Sequence, residues 1–213
     1  MSNRYGYSGS VGHTQAIKSN SGVFSPNEII DLDLDNVWFN AGQLELIETQ
    51  TLSGTPATLS FDSIKETEYN VHFMTITNFK PQTDNRHLSI QFKVAGSADT
   101  DNDYQYCMQR QNVSTGAELN SGNDSRIYLA YNCGIATGES LNGQFYIYNA
   151  GDSTKYTYLT QHFIHVNKDT NISTNFGSGV HDQLDSVNGL QFQTSGGNLE
   201  HGVFSLYGIK EYS

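Results

Sequence analysis

Hydrophobic and polar residues alternate with a period of two along most of the chain. This period is typical of a β-strand with one side against a core and the other toward solvent. Residues 87–95 show it most clearly, because Leu88, Ile90 and Phe92 are predicted to face the core and polar residues such as Gln91 to face water. The segment is therefore expected to form a half-buried antiparallel strand.

The stretch 69–79 alternates in the same way and assigns Met74 and Ile76 to one face of a strand. The opposite face is predicted to contain Tyr69, Val71, Phe73, Thr75, Thr77 and Phe79. The predicted strand segments are 43–52, 57–61, 69–79, 87–95, 104–112, 126–131, 143–150, 156–166, 190–194 and 202–212.

Turn-forming dipeptides such as Asn142-Gly143 and Asn188-Gly189 separate these segments. No helical periodicity of useful length follows residue 35, and no internal repeat of fixed length is present. Short alternating strands at regular spacing predict an all-β fold, an antiparallel β-sandwich or jelly roll of about ten strands.

Residues 1–40 differ from this pattern. The first 22 residues are mostly Gly, Ser, Asn and Tyr, with scarcely an aliphatic side chain to bury. The run Ser25-Pro26-Asn27-Glu28 has the layout of a capped helix start, with proline at the first helical position. We therefore expect an extended N-terminal assembly arm with one short helical turn at 1–40, docked on a neighbouring protein, and a sandwich domain at 41–213.

The charge balance excludes two classes of partner. The chain contains 11 Lys and Arg against 22 Asp and Glu, which gives a net charge of −11. Nucleic-acid binding and attachment to anionic membranes both need clustered basic residues, so neither is expected. The apolar runs are also far shorter than the ~18 residues of a membrane-spanning helix.

The two cysteines, Cys107 and Cys133, do not form a disulfide scaffold. Both lie in strand patterns, so buried free thiols are expected, with a single disulfide bridge as the alternative. The first fifteen residues lack the apolar segment of a secretory signal, and synthesis in a cytoplasm is therefore expected.

One acidic loop is a candidate metal site. Asp99, Asp101 and Asp103 place three carboxylates two residues apart, as at the start of a calcium-binding loop. The sixth position of that pattern needs glycine but is Tyr104 here, and the closing glutamate is missing. A solvated acidic loop is the favoured interpretation, and Ca²⁺ at the three aspartates is the alternative.

No group of residues in the sequence predicts catalysis. His162 and His165 lie three apart on a predicted strand, hence on opposite faces, where they cannot share a metal ion. A nucleophile elbow and a pair of facing carboxylates are also missing from the pattern. The sequence therefore predicts a protein that is not an enzyme and has no cofactor.

Tyrosine is the residue type with a functional interpretation. The middle strands are rich in it, and rings on a strand surface can stack on sugars or form a subunit interface. The candidate binding residues are Tyr104, Tyr106, Tyr128, Tyr146 and Tyr148. Packing within the sheet is the simpler explanation, since tyrosine suits strands in general.

Four segments resemble conserved pieces of structural proteins of tailed bacteriophages, marine phages in particular. They are NSGVFSPNEIIDLDLDNVW (20–38), FKPQTDNRHLSIQF (79–92), GQFYIYNAGDSTKYTYL (143–159) and GVFSLYGIKEY (202–212). Each segment alone is weakly diagnostic, whereas their order along the chain is more specific.

This resemblance implies a virion protein without catalytic residues, such as a tail-fibre or appendage knob or an adhesin in contact with host surface glycans. A capsid decoration or head-fibre protein is the alternative, and a stand-alone carbohydrate-binding module is a further one. The implied partners are other virion proteins through residues 1–40, further copies of the chain, with a trimer favoured, and a host surface polysaccharide.

Overall fold

A computed structural model describes residues 43–211 and, apart from them, Pro26 alone. The described residues form thirteen β-strands in antiparallel sheets, which confirms the predicted all-β sandwich. The strands are β1 (Leu44–Thr51), β2 (Thr58–Phe61), β3 (Val71–Pro81), β4 (Arg86–Val94), β5 (Ser97–Ala98), β6 (Tyr104–Asn112), β7 (Gly116–Asp124), β8 (Ile127–Cys133), β9 (Leu141–Tyr148), β10 (Thr157–Val166), β11 (Ile172–His181), β12 (Val187–Thr194) and β13 (Leu199–Ile209).

The strands form two sheets. The larger sheet has eight strands in the order β1-β13-β3-β9-β10-β11-β6-β7. The smaller sheet has the order β2-β12-β4-β5, and β8 also pairs with β4. In the part of the chain that the structure describes, no helix is long and apolar enough to cross a membrane.

Aromatic rings from both sheets meet in the core. Phe192 of the smaller sheet lies 5.0 Å from Phe204 and 6.1 Å from Phe145 of the larger sheet, measured between ring centroids. All three side chains are fully buried. A hydrogen bond also joins the sheets, because the backbone N–H of Phe92 donates to Oη of Tyr104 at 2.9 Å.

A β-bulge changes the predicted faces of β3. Met74 and Ile76 face the core as one set, but Phe79 is buried on their side, so its predicted grouping with Phe73 is wrong. The pairing of β3 with β9 shifts between Ile76 and Phe79, and Asn78 has a left-handed φ of 53°. Asparagine adopts this conformation more readily than most residues, and the extra residue turns Phe79 inward.

The polar side of β4 is buried, contrary to the prediction that it faces water. Ser89, Gln91 and Lys93 are at most 9% exposed. Because β4 is flanked by strands on both sides, side chains of neighbouring elements cover it and satisfy its polar groups. Lys93, for example, forms an ion pair with Asp62.

Three strands were not predicted, namely β5, β7 and β11. The sequence of β11 contains Gly177 and Gly179, which are typical of turns. Here they permit close packing, since a Cβ on Gly177 would lie 2.6 Å from Cα of Met108, and one on Gly179 would lie 2.7 Å from Ile127. Glycine therefore marks a tight interstrand contact rather than a turn.

The predictions for residues 1–40 fall almost entirely outside the described residues. Pro26 is helical, and the rest of the predicted arm and helical turn lies outside the described residues.

Candidate functional site

The eight-stranded sheet has one side against the core and one side away from it, here called the outer face. Paired residues on neighbouring strands point to the same side, so the pairing defines this face. One row across the sheet is Leu46, Tyr207, Phe73, Tyr146, Thr160, Ser178, Cys107 and Asn120.

Three further rows belong to the outer face, and shorter pairings continue it at the strand ends, namely Val203 with Thr51 and Thr77, and Val166 with Ile172. The first consists of Leu44, Ile209, Val71, Tyr148, Tyr158, Val180 and Gln105. The second consists of Thr49, Ser205, Thr75, Gln144, His162, Phe176, Gln109 and Glu118. The third is shorter and consists of Asn142, Ile164, Thr174 and Gln111.

The outer face is almost free of formal charge. Of all the residues in its four rows, Glu118 is the one Asp, Glu, Lys or Arg, and it lies on the edge strand β7. The central strands contribute Thr, Ser, Gln and Asn between apolar side chains. The chain has a net charge of −11, yet among the described residues charged side chains reach this side of the sheet only near its margin, as Lys80 does between the buried Phe79 and Pro81 at the end of β3.

The outer face also exposes large hydrophobic side chains. Nine such residues are exposed in the described part of the chain, and six of them lie on this face: Leu44, Leu46, Tyr158, Ile164, Ile172 and Phe176. Leu46 is 54% exposed and Phe176 47%. Contiguous apolar surface of this kind on a folded domain indicates a contact site rather than random exposure.

A cluster of rings occupies one half of the outer face. The ring of Phe73 lies 4.8 Å from that of Tyr146 and 6.1 Å from that of Tyr207. Tyr146 stacks beside Tyr148 at 6.3 Å with nearly parallel planes. These four rings are half-buried by one another, so the cluster is a rigid, pre-packed surface.

The other half of the outer face has a shallow groove along β10, β11 and β6. One pocket of about 340 Å³ is lined by Tyr158, Thr160, Ser178 and Cys107 among others. A second pocket of about 280 Å³ shares Ser178 and Cys107 and reaches Phe176. The groove thus offers two exposed rings and uncharged hydrogen-bonding groups, with the carboxylate of Glu118 at the β7 end of the second pocket.

The five candidate tyrosines do not form one site. Tyr146 and Tyr148 belong to the ring cluster of the outer face, as a surface role requires. Tyr104 is fully buried in the core, where its hydroxyl accepts from the backbone of Phe92 and donates to the carbonyl of Asp99. Burial raises the pKa of Tyr104 well above its ordinary value.

The remaining two, Tyr106 and Tyr128, lie together on the core side of the eight-stranded sheet. Their rings meet edge to face at 5.8 Å, and the hydroxyl of Tyr106 is 3.1 Å from that of Tyr131. His87 packs on Tyr131 at 4.3 Å between ring centroids. Tyr106 is buried and Tyr128 partly so, hence neither contributes to the outer face.

The acidic loop brings together a different set of ligands from the predicted one. Asp99 and Asp103 lie with His181, their potential ligand atoms within 4.8 Å of one another, whereas Asp101 is not part of the group. Nε2 of the fully buried His181 is 2.8 Å from Oδ2 of Asp99. Ca²⁺ prefers six to eight oxygen ligands, whereas this group offers two carboxylates and one imidazole nitrogen.

Both cysteines are free. Cys133 is buried as expected, and burial raises the pKa of its thiol to about 12. Cys107 is exposed, so the expectation that both are buried is wrong for this residue. Its position explains the difference, because Tyr106 and Met108 point to the core and the residue between them must point outward.

Sequence reasoning identified Tyr146 and Tyr148 but missed the outer face as a whole. Phe176 and Ser178 lie on β11, which was not recognised as a strand, so their neighbours across the sheet could not be assigned. The signal that could have found the face is the lack of charge at alternate positions of β3, β9 and β10.

Comparison with known proteins gives no relative from which function can be inferred. No protein-family model, curated protein or solved structure matches the chain.

Proposed function

We propose that the protein is a non-enzymatic structural component of a phage virion, namely a tail-fibre or appendage knob or an adhesin. The observation that carries this proposal is the outer face, which is large, carries little formal charge and is rich in exposed apolar side chains, as a contact surface should be.

The positions of the phage-like segments support the same proposal. The segment 79–92 forms the end of β3, the following turn and β4, and the segment 143–159 forms β9, its turn and the start of β10. The segment 202–212 contains most of β13. β13, β9 and β10 belong to the larger sheet, which presents the outer face, whereas most of the segment 79–92 lies on β4 of the smaller sheet, so the resemblance extends over both sheets.

In this proposal residues 1–40 contact other virion proteins and the sandwich is the outward-facing part. Antibodies against the chain, applied to purified particles in immunogold electron microscopy, test it directly. Labelling of the tail is expected, labelling of the head would assign the chain to capsid decoration, and unlabelled particles would contradict the proposal. Deletion of residues 1–40 should abolish incorporation while the purified sandwich keeps its unfolding transition.

A carbohydrate-binding module is the second candidate, and the groove beside Tyr158 favours it. Stacking of a sugar on this ring predicts that Tyr158→Ala weakens binding of a neutral polysaccharide by about tenfold or more in titration calorimetry. Tyr156→Ala is the matched control, because Tyr156 is similarly exposed but precedes β10 and does not line the groove. Equal loss in both variants would contradict a site in the groove.

A further inference from the structure

We propose that the outer face binds the outer face of a second copy of this chain, related by a two-fold axis. The proposal concerns the surface and its partner, and it holds whether or not the chain is a virion component.

The charge distribution favours a second copy as the partner. Two chains with a net charge of −11 repel each other, and any contact between them must avoid opposing carboxylates. The interior of the outer face meets this condition, since its carboxylates lie at the margin: Glu118 on the edge strand β7, and Asp182 just beyond β11, where it accepts a hydrogen bond from Gln105 at 2.7 Å. In a two-fold arrangement each row meets the same surface of the other copy, so an uncharged face is complementary to itself.

The size of the face fits such a pair. Neighbouring strands lie ~4.8 Å apart, and neighbouring rows of side chains are separated by two residues with a rise of ~3.3 Å each. Eight strands and four rows therefore cover roughly 700 Å². A stable interface of standard size buries about 800 Å² on each partner. The whole outer face of one sheet is therefore close to the area that a stable dimer needs, whereas a bound sugar would cover a small part of it.

The side chains also favour a protein surface over a sugar. Leu44, Leu46 and Ile164 are exposed aliphatic residues at opposite ends of the face, and aliphatic side chains offer no flat surface for stacking. The half-buried rings of Tyr146 and Tyr148 already stack on each other. Two sheets that pack face to face interdigitate such side chains at a separation of about 10 Å.

Thr160 lies near the centre of the face and provides the test. It is exposed on β10, with Tyr146 on one side and Ser178 on the other. In a two-fold pair, Thr160→Glu brings two carboxylates into the middle of an otherwise uncharged interface. Because like charges in an interface cost several kcal/mol, the dissociation constant should rise by roughly a hundredfold.

Light scattering of the full 213-residue chain measures the result. The wild type is expected at the mass of two 23.6-kDa copies and Thr160→Glu at the mass of one. Leu184→Glu is the matched control, because Leu184 is 58% exposed but lies outside the outer face, and this variant should remain a dimer. Urea unfolding of each variant at low concentration establishes that it is folded.

Three results would overturn the proposal. The first is a wild-type chain that stays a single copy at tens of micromolar concentration. The second is a dimer or trimer that Thr160→Glu leaves intact, which would place the contact on another surface. The third is a single-copy chain whose Thr160→Glu variant loses affinity for a neutral polysaccharide, which would assign the face to a sugar.

Discussion

The outer sides of the two sheets differ in how their polar groups are satisfied. On the smaller sheet the amides of Gln191 and Gln193 donate to Oε1 of Gln91, and Lys93 pairs with Asp62. On the eight-stranded sheet the outer face leaves rings and aliphatic side chains in contact with water. The polar groups of the first surface find partners within the single chain. The apolar side chains of the second surface are removed from water only when a partner covers them.

Substitution of one phenylalanine in the core and one on the outer face gives the largest expected difference in stability. Phe192→Ala should lower the free energy of unfolding by about 3–5 kcal/mol, because Phe192 is fully buried among other rings and leaves a cavity. Phe176→Ala, on the outer face, should change it by about 0.5 kcal/mol or less for the single chain. Urea unfolding at low protein concentration measures both free energies. A large loss of stability in Phe176→Ala would show that the outer face contributes to the core of the single chain.

Acid should lower the stability of the folded chain through His165, whose side chain is buried on the core side of the larger sheet. Its Nε2 is 2.8 Å from the carbonyl of Tyr131, and Asn175 lies 3.4 Å from Nδ1. Burial, with a contribution from Arg110, lowers the pKa of His165 from 6.5 to about 4. Between these values the unfolded chain binds a proton that the folded chain does not, so stability falls as the pH drops from 6.5 toward 4.

The loss expected from His165 is at most about 3 kcal/mol across this window. The pKa values of His72 and His87 are also lowered, mainly by burial, so they act in the same direction. His165→Gln should flatten the pH dependence of urea unfolding, and His162→Gln, on the outer face, is the matched control for replacing an imidazole by an amide. Identical profiles for both variants would contradict a role for the buried imidazole.

The amide cluster on the smaller sheet should give a smaller effect. Gln91 donates to the carbonyl of Ser125 at 2.8 Å and accepts from Gln193 at 2.6 Å. Gln91→Ala leaves these partners unsatisfied and should cost about 1–2 kcal/mol in thermal or urea unfolding. Gln109→Ala on the outer face should cost less than about 0.5 kcal/mol. If both variants unfold alike, the two surfaces do not differ as described.

The fold class followed from the sequence because period-two alternation is a local property of each strand. The failures have specific physical causes. β11 was missed because Gly177 and Gly179 serve close packing against Met108 and Ile127, which a local pattern does not contain. Phe79 was assigned to the wrong face because one left-handed residue, Asn78, inserts a bulge.

The candidate site was only partly predictable for a related reason. Tyr104 and Tyr146 each begin a Tyr-x-Tyr pattern on a strand, yet the first is in the core and the second on the outer face. The sheet order decides this, and that order depends on contacts between strands far apart in the chain. His181 likewise joins Asp99 from a distance of 82 residues.

The measurement that tests the central claim most directly uses the thiol of Cys107, which lies in a central row of the outer face. Cys133 is buried and its pKa is about 12, so a thiol reagent at pH 8 should react with Cys107 alone in the folded chain. The rate constant for Cys107 should fall as protein concentration rises through the dissociation constant, and it should stay high at all concentrations in Thr160→Glu. A rate constant that does not change with concentration in the wild type would contradict pairing through the outer face.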